Sequence, residues 1–320
     1  MRYKRFGNTD IDSSVISIGT WAIGAEGWGD VDKKESIQAV HAMLDNGVNM
    51  IDTAPIYGHG NSELVLGEAL KNVNRSSYHL ITKFGSTWPN GVDAPLVRDN
   101  SRENILREID DSLKRLQTDY IDIYFCHWPD PDMKVPFEET ISTMEELRKA
   151  GKIRYIGLSN HSIEQIQECM KYGTINAIQP PYSMVNRKFE ELLIWATEQN
   201  LGTTTYGSLG SGLLTGAIRE KPNFSADDKR ATFYSDLYSE PKFSQIMELL
   251  RTLDAIAAER NVPVAQVAVN WSTQSPWVST ALMGVRNVHE ANENCAGTEW
   301  MLSEEEYQRI NAAIDNTVGK

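Results

Sequence analysis

The chain alternates strand-like and helix-like segments eight times, and no other feature constrains its fold as tightly. Short, largely apolar runs at Val15–Gly19, Val48–Ala54, His79–Phe84, Ile121–His127, Ile153–Leu158, Ala177–Gln179, Gly202–Tyr206 and Ser279–Met283 read as strands. Between them, apolar residues recur at helical spacing. Ile37, Val40, Met43 and Leu44 share one face that Gly47 can close. Ser62 is placed to cap a helix holding Leu64, Leu66 and Leu70, and Ser101 opens one carrying Ile105, Ile109, Leu113 and Leu116. Phe137, Ile141, Met144 and Leu147 mark a helix closed near Gly151; Ile163, Ile166 and Met170, then Phe189, Leu192, Leu193 and Ala196, mark two more. Eight such units in 320 residues predict one domain, residues 1–320, folded as a (β/α)₈ TIM barrel with an N-terminal β-hairpin that turns at Gly7-Asn8. A doubly wound sheet is the alternative, but no Gly-x-Gly-x-x-Gly follows the first strand.

Asp52, Tyr57, Lys83 and His127 stand at or just past the ends of the second, third and fourth of these strands. In a parallel barrel all four gather at one end. Tyrosine, with a pKa of about 10, is a proton donor at neutral pH, and a neighbouring ammonium lowers that value by stabilising the phenolate. A carboxylate would hold the lysine in place and charged. A histidine in reach of the same oxygen would orient a carbonyl or share its proton. The set suits protonation of an oxygen that gains negative charge, as when hydride adds to C=O. None of the four is a hydride source, so a cofactor has to supply it. Each also has a plain structural reading: a turn cap for Asp52, a half-buried loop aromatic for Tyr57, a solvated charge for Lys83, a satisfied structural imidazole for His127. Their shared position makes four independent accidents a poor explanation.

Charge and cysteine usage narrow the partners. A formal net charge of −13 disfavours a nucleic-acid or anionic-membrane surface, both of which need excess Lys and Arg. Cys126, Cys169 and Cys295 show neither CxxC nor zinc spacing, so reduced thiols and no metal are expected. There is no apolar signal segment at the N-terminus and no run long enough to span a bilayer, which together predict a cytoplasmic protein of open oligomeric state. From Gly210 to about Pro241 periodicity gives way to Gly, Ser, Asp and Lys, and we read this stretch as a loop that folds over a ligand. Trp21, Trp88 and Trp128 follow the first, third and fourth strands, as aromatic walls of a pocket or as packing. Asp93 and Arg98 are further polar candidates there.

Asp52-Thr53-Ala54-Pro55-Ile56-Tyr57-Gly58 followed by Ser62-Glu63, then Thr82-Lys83, then His127, resembles the aldo-keto reductase superfamily. Gly151-Lys152-Ile153-Arg154-Tyr155-Ile156-Gly157-Leu158-Ser159-Asn160 resembles that family's fifth-strand signature, and Tyr206 through Gly216 its cofactor-covering loop. The resemblance runs from the hairpin to about Asn294. His127-Trp128-Pro129-Asp130-Pro131 is similar to bacterial members near the inositol-catabolism and aryl-alcohol enzymes.

The resemblance implies a barrel without a Rossmann motif, a nicotinamide cofactor, and reduction of a small-molecule carbonyl or its reverse. It implies Tyr57 as general acid/base, Lys83 and Asp52 tuning it, and His127 at the carbonyl. It assigns Ser159, Asn160 and Gln179 to the nicotinamide carboxamide, Tyr206 to a stack on the ring, and Ser208, Leu209, Gly210, Ser211, Gly212 and Leu213 to the pyrophosphate. The segment with Gly284, Arg286, Asn287, Glu290, Glu293 and Asn294 corresponds to the adenosine end. Glu290 stands where many relatives carry Arg or Gln. A carboxylate there repels a 2′-phosphate, whereas Arg286 suits one. NADP(H) is the favoured cofactor on this reading, with NAD(H) admissible, and a sugar, keto-sugar or cyclitol the favoured substrate. Two rivals are a Schiff-base aldolase using Lys83 and a nicotinamide-binding regulatory subunit resembling the potassium-channel beta subunits.

Overall fold

The computed structural model describes residues 1–29, 31–88 and 95–319. Asp93 lies outside the described residues. A hairpin opens the chain, with β1 (Tyr3–Arg5) antiparallel to β2 (Asp12–Ser14). Then come β3 (Ile16–Gly19), β4 (Met50–Asp52) and β5 (His79–Phe84). A small hairpin of β6 (Ser86–Thr87) and β7 (Val97–Arg98) follows directly on β5. The remaining strands are β8 (Ile121–Cys126), β9 (Ile153–Ser159), β10 (Ala177–Gln179), β11 (Gly202–Thr205) and β12 (Thr280–Gly284). Among the described residues, β3, β4, β5, β8, β9, β10, β11 and β12 pair in parallel in that order, and β12 closes on β3. The eight-stranded (β/α)₈ barrel expected from the alternation is therefore formed.

The helices are α1 (Lys33–Asp45), α2 (Asn61–Leu70), α3 (Arg102–Leu116), α4 (Phe137–Lys149), α5 (Ile163–Cys169), α6 (Glu190–Glu198), α7 (Lys242–Arg260), α8 (Val264–Gln274), α9 (Val288–Ala296) and α10 (Glu304–Thr317). Their apolar faces pack on the outside of the strands. The stripe expected on α3 is the buried one, with Ile105, Ile109 and Leu116 in the core, and Ser101 caps it by accepting from Asn104 N. Four helices, α7 to α10, lie outside those the periodicity predicts, α9 falling in the segment compared only with the family's adenosine end. In α7, Ile246, Leu249, Leu250, Leu253 and Ile256 are buried at a helical spacing the sequence does carry. In α8, every residue from Ala265 to Thr273 is buried, so no polar face betrays the period. α10 opens on an acidic first turn capped by Ser303, a start signal the sequence also carries.

Ser62 does not cap α2, contrary to expectation. The helix starts at Asn61, and the residue before it, Gly60, makes no side-chain cap. Ser62 Oγ instead lies 2.7 Å from Thr20 Oγ1 and 2.9 Å from Thr53 Oγ1, while Thr20 Oγ1 donates to Asp52 O at 2.8 Å. A tertiary hydroxyl cluster thus takes precedence over the local cap. It ties the ends of β3 and β4 together, the place where Asp52 sits.

The hairpin closes the other end of the barrel. Phe6 and Ile11, both buried, join Met50, Ile81, Ile123, Phe125 and Ala177 in an apolar cluster separate from the main core. The Phe6 ring fits because Gly202 has no side chain: a Cβ there would stand 2.3 Å from the ring. Among the described residues no helix is long and apolar enough to cross a membrane. Phe6→Ala is expected to cost about 3–5 kcal/mol, the usual range for emptying a buried aromatic site. Urea unfolding measures it, and a loss below about 1 kcal/mol would show that the hairpin does not plug the barrel.

Candidate active site

The C-terminal ends of β4 and β5 meet around one buried ammonium. Lys83 Nζ donates to Asp52 Oδ1 at 2.6 Å, to Thr53 O at 2.8 Å and to the Tyr57 hydroxyl oxygen at 3.3 Å. All three of its N–H groups are used. Lys83 is fully buried and Asp52 nearly so. Asp52 Oδ2 accepts from Gln179 Nε2 at 2.7 Å, a link across the barrel from β10. Behind Lys83, buried Glu63 accepts from Thr82 Oγ1 and Arg115 Nε, each at 2.7 Å. Burial lowers the pKa of Lys83, and the Asp52 carboxylate, its hydrogen bond and Glu63 oppose that.

Tyr57 sits in the turn between β4 and α2. That turn is fixed by Gly58, whose φ is +60° and whose added Cβ would lie 2.0 Å from Gly24 O. Burial pushes the Tyr57 pKa well above its usual value, and Asp52, Tyr234 and Tyr206 push the same way. The expectation that Lys83 lowers it is not met. Asp52 lies closer to the ammonium than Tyr57 does and offsets its charge, so burial decides. The phenol stays protonated. Because Lys83 donates to its oxygen, the hydroxyl proton remains available to another acceptor.

His127 follows β8, its ring 6.1 Å from the Tyr57 ring and nearly perpendicular to it. Among the described residues neither ring nitrogen has a hydrogen-bond partner. Burial, then the charges of Lys83 and Arg98, hold its pKa well below the usual value, so the imidazole is neutral. A protonated phenol and a neutral imidazole therefore face one gap.

Residues expected to hold the nicotinamide form one connected shelf. Ser159 Oγ donates to Gln179 O at 3.0 Å. Asn160 Nδ2 donates to His127 O and Ser159 Oγ, each at 3.0 Å, and its Oδ1 accepts from Tyr206 OH at 2.8 Å. Through Gln179 this shelf ends on Asp52. After β11 the backbone takes positive φ at Gly210, Ser211 and Gly212 in succession, within the stretch from Ser208 and Leu209 to Leu213. Ser211 Oγ is buried there without a partner. Gly210 N and Gly212 N donate to Gly207 O and Leu209 O, so the N–H groups of this left-handed turn are largely spent, and the unpaired Ser211 hydroxyl is the group there that suits a phosphate. At the end of β12, beyond Gly284, Asn287 caps α9 by accepting from Glu290 N at 2.9 Å. Glu290 accepts from Arg286 N at 2.9 Å and from Arg286 Nη2 at 2.8 Å. Glu293 lies 3.5 Å from His289, and Asn294 is buried.

The three tryptophans separate. Trp21 stacks on Tyr57 at 5.8 Å, and Trp128 lies parallel to His127 at 6.5 Å with the Arg98 guanidinium carbon 5.1 Å over its ring. Trp88 packs on His59 at 4.4 Å. Trp28, Phe233 and Tyr234, none of them a candidate on sequence grounds, join Trp21. Phe233 and Trp28 each meet Trp21 edge-on at 5.3 Å, and Tyr234 tilts against it at 6.1 Å. With Lys229 N donating to Gly27 O at 2.9 Å, the segment after β11 lies across the barrel mouth on the loop after β3. An adjacent aromatic pair in an otherwise polar irregular stretch was the available signal.

A model of the Aldo/keto reductase family matches residues 15–315. The chain belongs to this family. It is 41% identical over 321 residues to the aldo-keto reductase YhdN of Bacillus subtilis (strain 168), covering 99% of this chain and 95% of that protein. It is 33% identical over 315 residues to the NADH-specific methylglyoxal reductase of Escherichia coli (strain K12), covering 95% of each. The solved glycerol dehydrogenase AKR11B4 from Gluconobacter oxydans superposes with a TM-score of 0.89 at 32% identity, covering 99% of this chain and 96% of that one. The chain is thus an aldo-keto reductase, an oxidoreductase of a family that uses NAD(P)H.

The neutral state of His127 has a pH consequence. His161 is also buried, and its pKa falls to about 4. In the unfolded chain both imidazoles take up a proton near ~6.5. Their contribution to stability is therefore complete above that value and is lost as pH falls towards the folded values. Histidine NMR is expected to show no titration of His127 between about pH 8 and about pH 5.5; an inflection near ~6.5 would overturn its neutral assignment.

Proposed function

We propose that this aldo-keto reductase, acting as one domain, reduces a small oxygenated aldehyde or ketone, or runs the reverse reaction, with Tyr57 as general acid/base. The observation that carries the reading is the grip of Lys83. Its third hydrogen bond fixes the phenol oxygen and leaves the phenol proton to a ligand. A bound reduced nicotinamide supplies the hydride. The chain's residues place the carbonyl oxygen between Tyr57 and His127 and deliver the Tyr57 proton to it as negative charge grows there. Neutral His127 donates a hydrogen bond to the same oxygen without competing as an acid. Lys83, held by Asp52, stabilises the phenolate left behind. Trp21, Trp128 and the aromatic segment over the mouth exclude water.

These residues also speak against a Schiff-base aldolase, because all three protons of Lys83 are engaged. The shelf of Ser159, Asn160, Gln179 and Tyr206, the glycine turn at Gly210–Gly212 with its Ser211 hydroxyl, and Arg286 would hold the cofactor from nicotinamide to adenosine. We favour NADP(H), with NAD(H) admissible: Arg286 suits a 2′-phosphate but shares its charge with Glu290. Aromatic walls beside polar groups suit a sugar, keto-sugar or cyclitol, and the methylglyoxal and glycerol of the relatives' names are small oxygenated molecules of the same kind.

Tyr57→Phe is expected to lower kcat by on the order of 10²–10⁴-fold while cofactor affinity stays within about twofold. Steady-state rates and a cofactor fluorescence titration test this, and wild-type-like turnover sinks the mechanism. Glu290→Gln is expected to free Arg286 and raise the NADPH/NADH ratio of kcat/KM by about tenfold, and Arg286→Ala to lower it. Unchanged ratios in both variants would mean that neither side chain reaches the 2′ position.

A further inference from the structure

Arg98 is a half-buried cation beside the site that touches none of the reacting groups. It is held on β7, whose pairing with β6 extends the Lys83 strand over the C-terminal face of the barrel. Its guanidinium donates to Ser86 Oγ and lies 5.1 Å over the Trp128 ring, which in turn lies parallel to the His127 ring at 6.5 Å. Two contacts thus separate it from the imidazole. Among the described residues no carboxylate pairs with it. Asp99, next to it in sequence, accepts from Ser101 N, and Asp130, two residues past Trp128, accepts from the N–H groups of Asp132, Lys134 and Val135. A second cation is anchored on the same small hairpin, since Arg107 donates to Thr87 Oγ1 at 3.3 Å. Half-buried guanidinium groups normally have a carboxylate partner, because loss of hydration has to be compensated. Stacking on Trp128 orients the fork but supplies no anion. A planar fork of donors is made for a carboxylate or a phosphate.

We infer that Arg98 is the specificity residue for an anionic group on the substrate: the carbonyl compound carries a carboxylate or a phosphate, which Arg98 binds over Trp128 while the carbonyl lies between Tyr57 and His127. The inference rests on the carbonyl-reductase reading above and sharpens its substrate class from a sugar to an acidic or phosphorylated sugar. Because the Trp128 ring stands between Arg98 and His127 in this chain of contacts, the substrate needs several bonds between its carbonyl and its anion.

The test compares matched pairs. D-glucuronate is set against D-glucose for the carboxylate, and D-glyceraldehyde 3-phosphate against D-glyceraldehyde for the phosphate, in wild type and in Arg98→Gln. In wild type at least one anionic member is expected to exceed its neutral partner in kcat/KM by about ten- to a hundredfold, and the ratio to fall close to one in Arg98→Gln. Which pair shows it tells carboxylate from phosphate. Arg98→Lys should keep part of the ratio. No preference in either pair, or one that survives Arg98→Gln, overturns the inference. Calorimetry of the reduced products, L-gulonate and sn-glycerol 1-phosphate, tests the same contact without turnover. Binding of one of them at least about tenfold weaker in Arg98→Gln supports it, and equal affinities for both overturn it. If no aldehyde in the set is reduced while that binding difference stands, the reductase reading fails and the anion site does not.

Discussion

A lysine ammonium cut off from water has to be neutralised by its surroundings, and much of this structure is arranged around that requirement at Lys83. Its three acceptors come from one short stretch, Asp52, Thr53 and Tyr57, so the charge stitches β5 to the end of β4. Asp52 is then held from across the barrel by Gln179 and through its carbonyl by Thr20. Taking away one partner of a buried pair leaves the other charge exposed to a poor solvent, at a cost of about 3–5 kcal/mol. The same contacts that keep the ammonium tolerable also aim the phenol of Tyr57. Stability and chemistry share these atoms.

This dependence explains which parts of the fold were legible in the sequence. Strands buried on both faces leave apolar runs, so His79–Phe84 and Ala177–Gln179 have the bounds expected of them. β4 is shorter than its run: the expected Val48–Ala54 is a strand only over Met50–Asp52. Beyond Asp52 the chain leaves the ladder to wrap Thr53 and Tyr57 around the ammonium, and a polar demand there overrides strand propensity. The four candidate residues at the strand ends could be read because a parallel barrel puts all such ends on one face. Gln179 could be read as a site residue only through the family resemblance. Its bond to Asp52 joins positions 127 residues apart, which no local pattern encodes.

The electrostatics were the least legible layer. A sequence shows that a lysine and a tyrosine are neighbours, but not how much water each loses or how near a third charge lies. Here the third charge is Asp52, and burial raises the Tyr57 pKa where a bare Lys–Tyr pair would lower it. For His127 burial and two cations act in one direction. The result is a donor phenol and a neutral imidazole, a division of labour that follows from geometry.

The segment over the mouth differs from the barrel in how it is held. Helices α7 and α8 behind it are anchored by fully buried side chains such as Leu249, Leu253, Val267 and Trp271. The crossing itself rests on the aromatic contacts of Phe233 and Tyr234 with Trp21 and Trp28, one backbone hydrogen bond to Gly27, and a partly exposed Lys229–Glu26 pair. Aromatic pairs add about 0.5–1.5 kcal/mol each beyond burial, and exposed ion pairs less than about 1 kcal/mol. A few such contacts are small beside a barrel core, so the crossing can be released without loosening the strands beneath. Trp21 belongs to both layers, stacked on Tyr57 below and edge-on to Phe233 above, and so couples the position of the segment to the phenol that Lys83 holds.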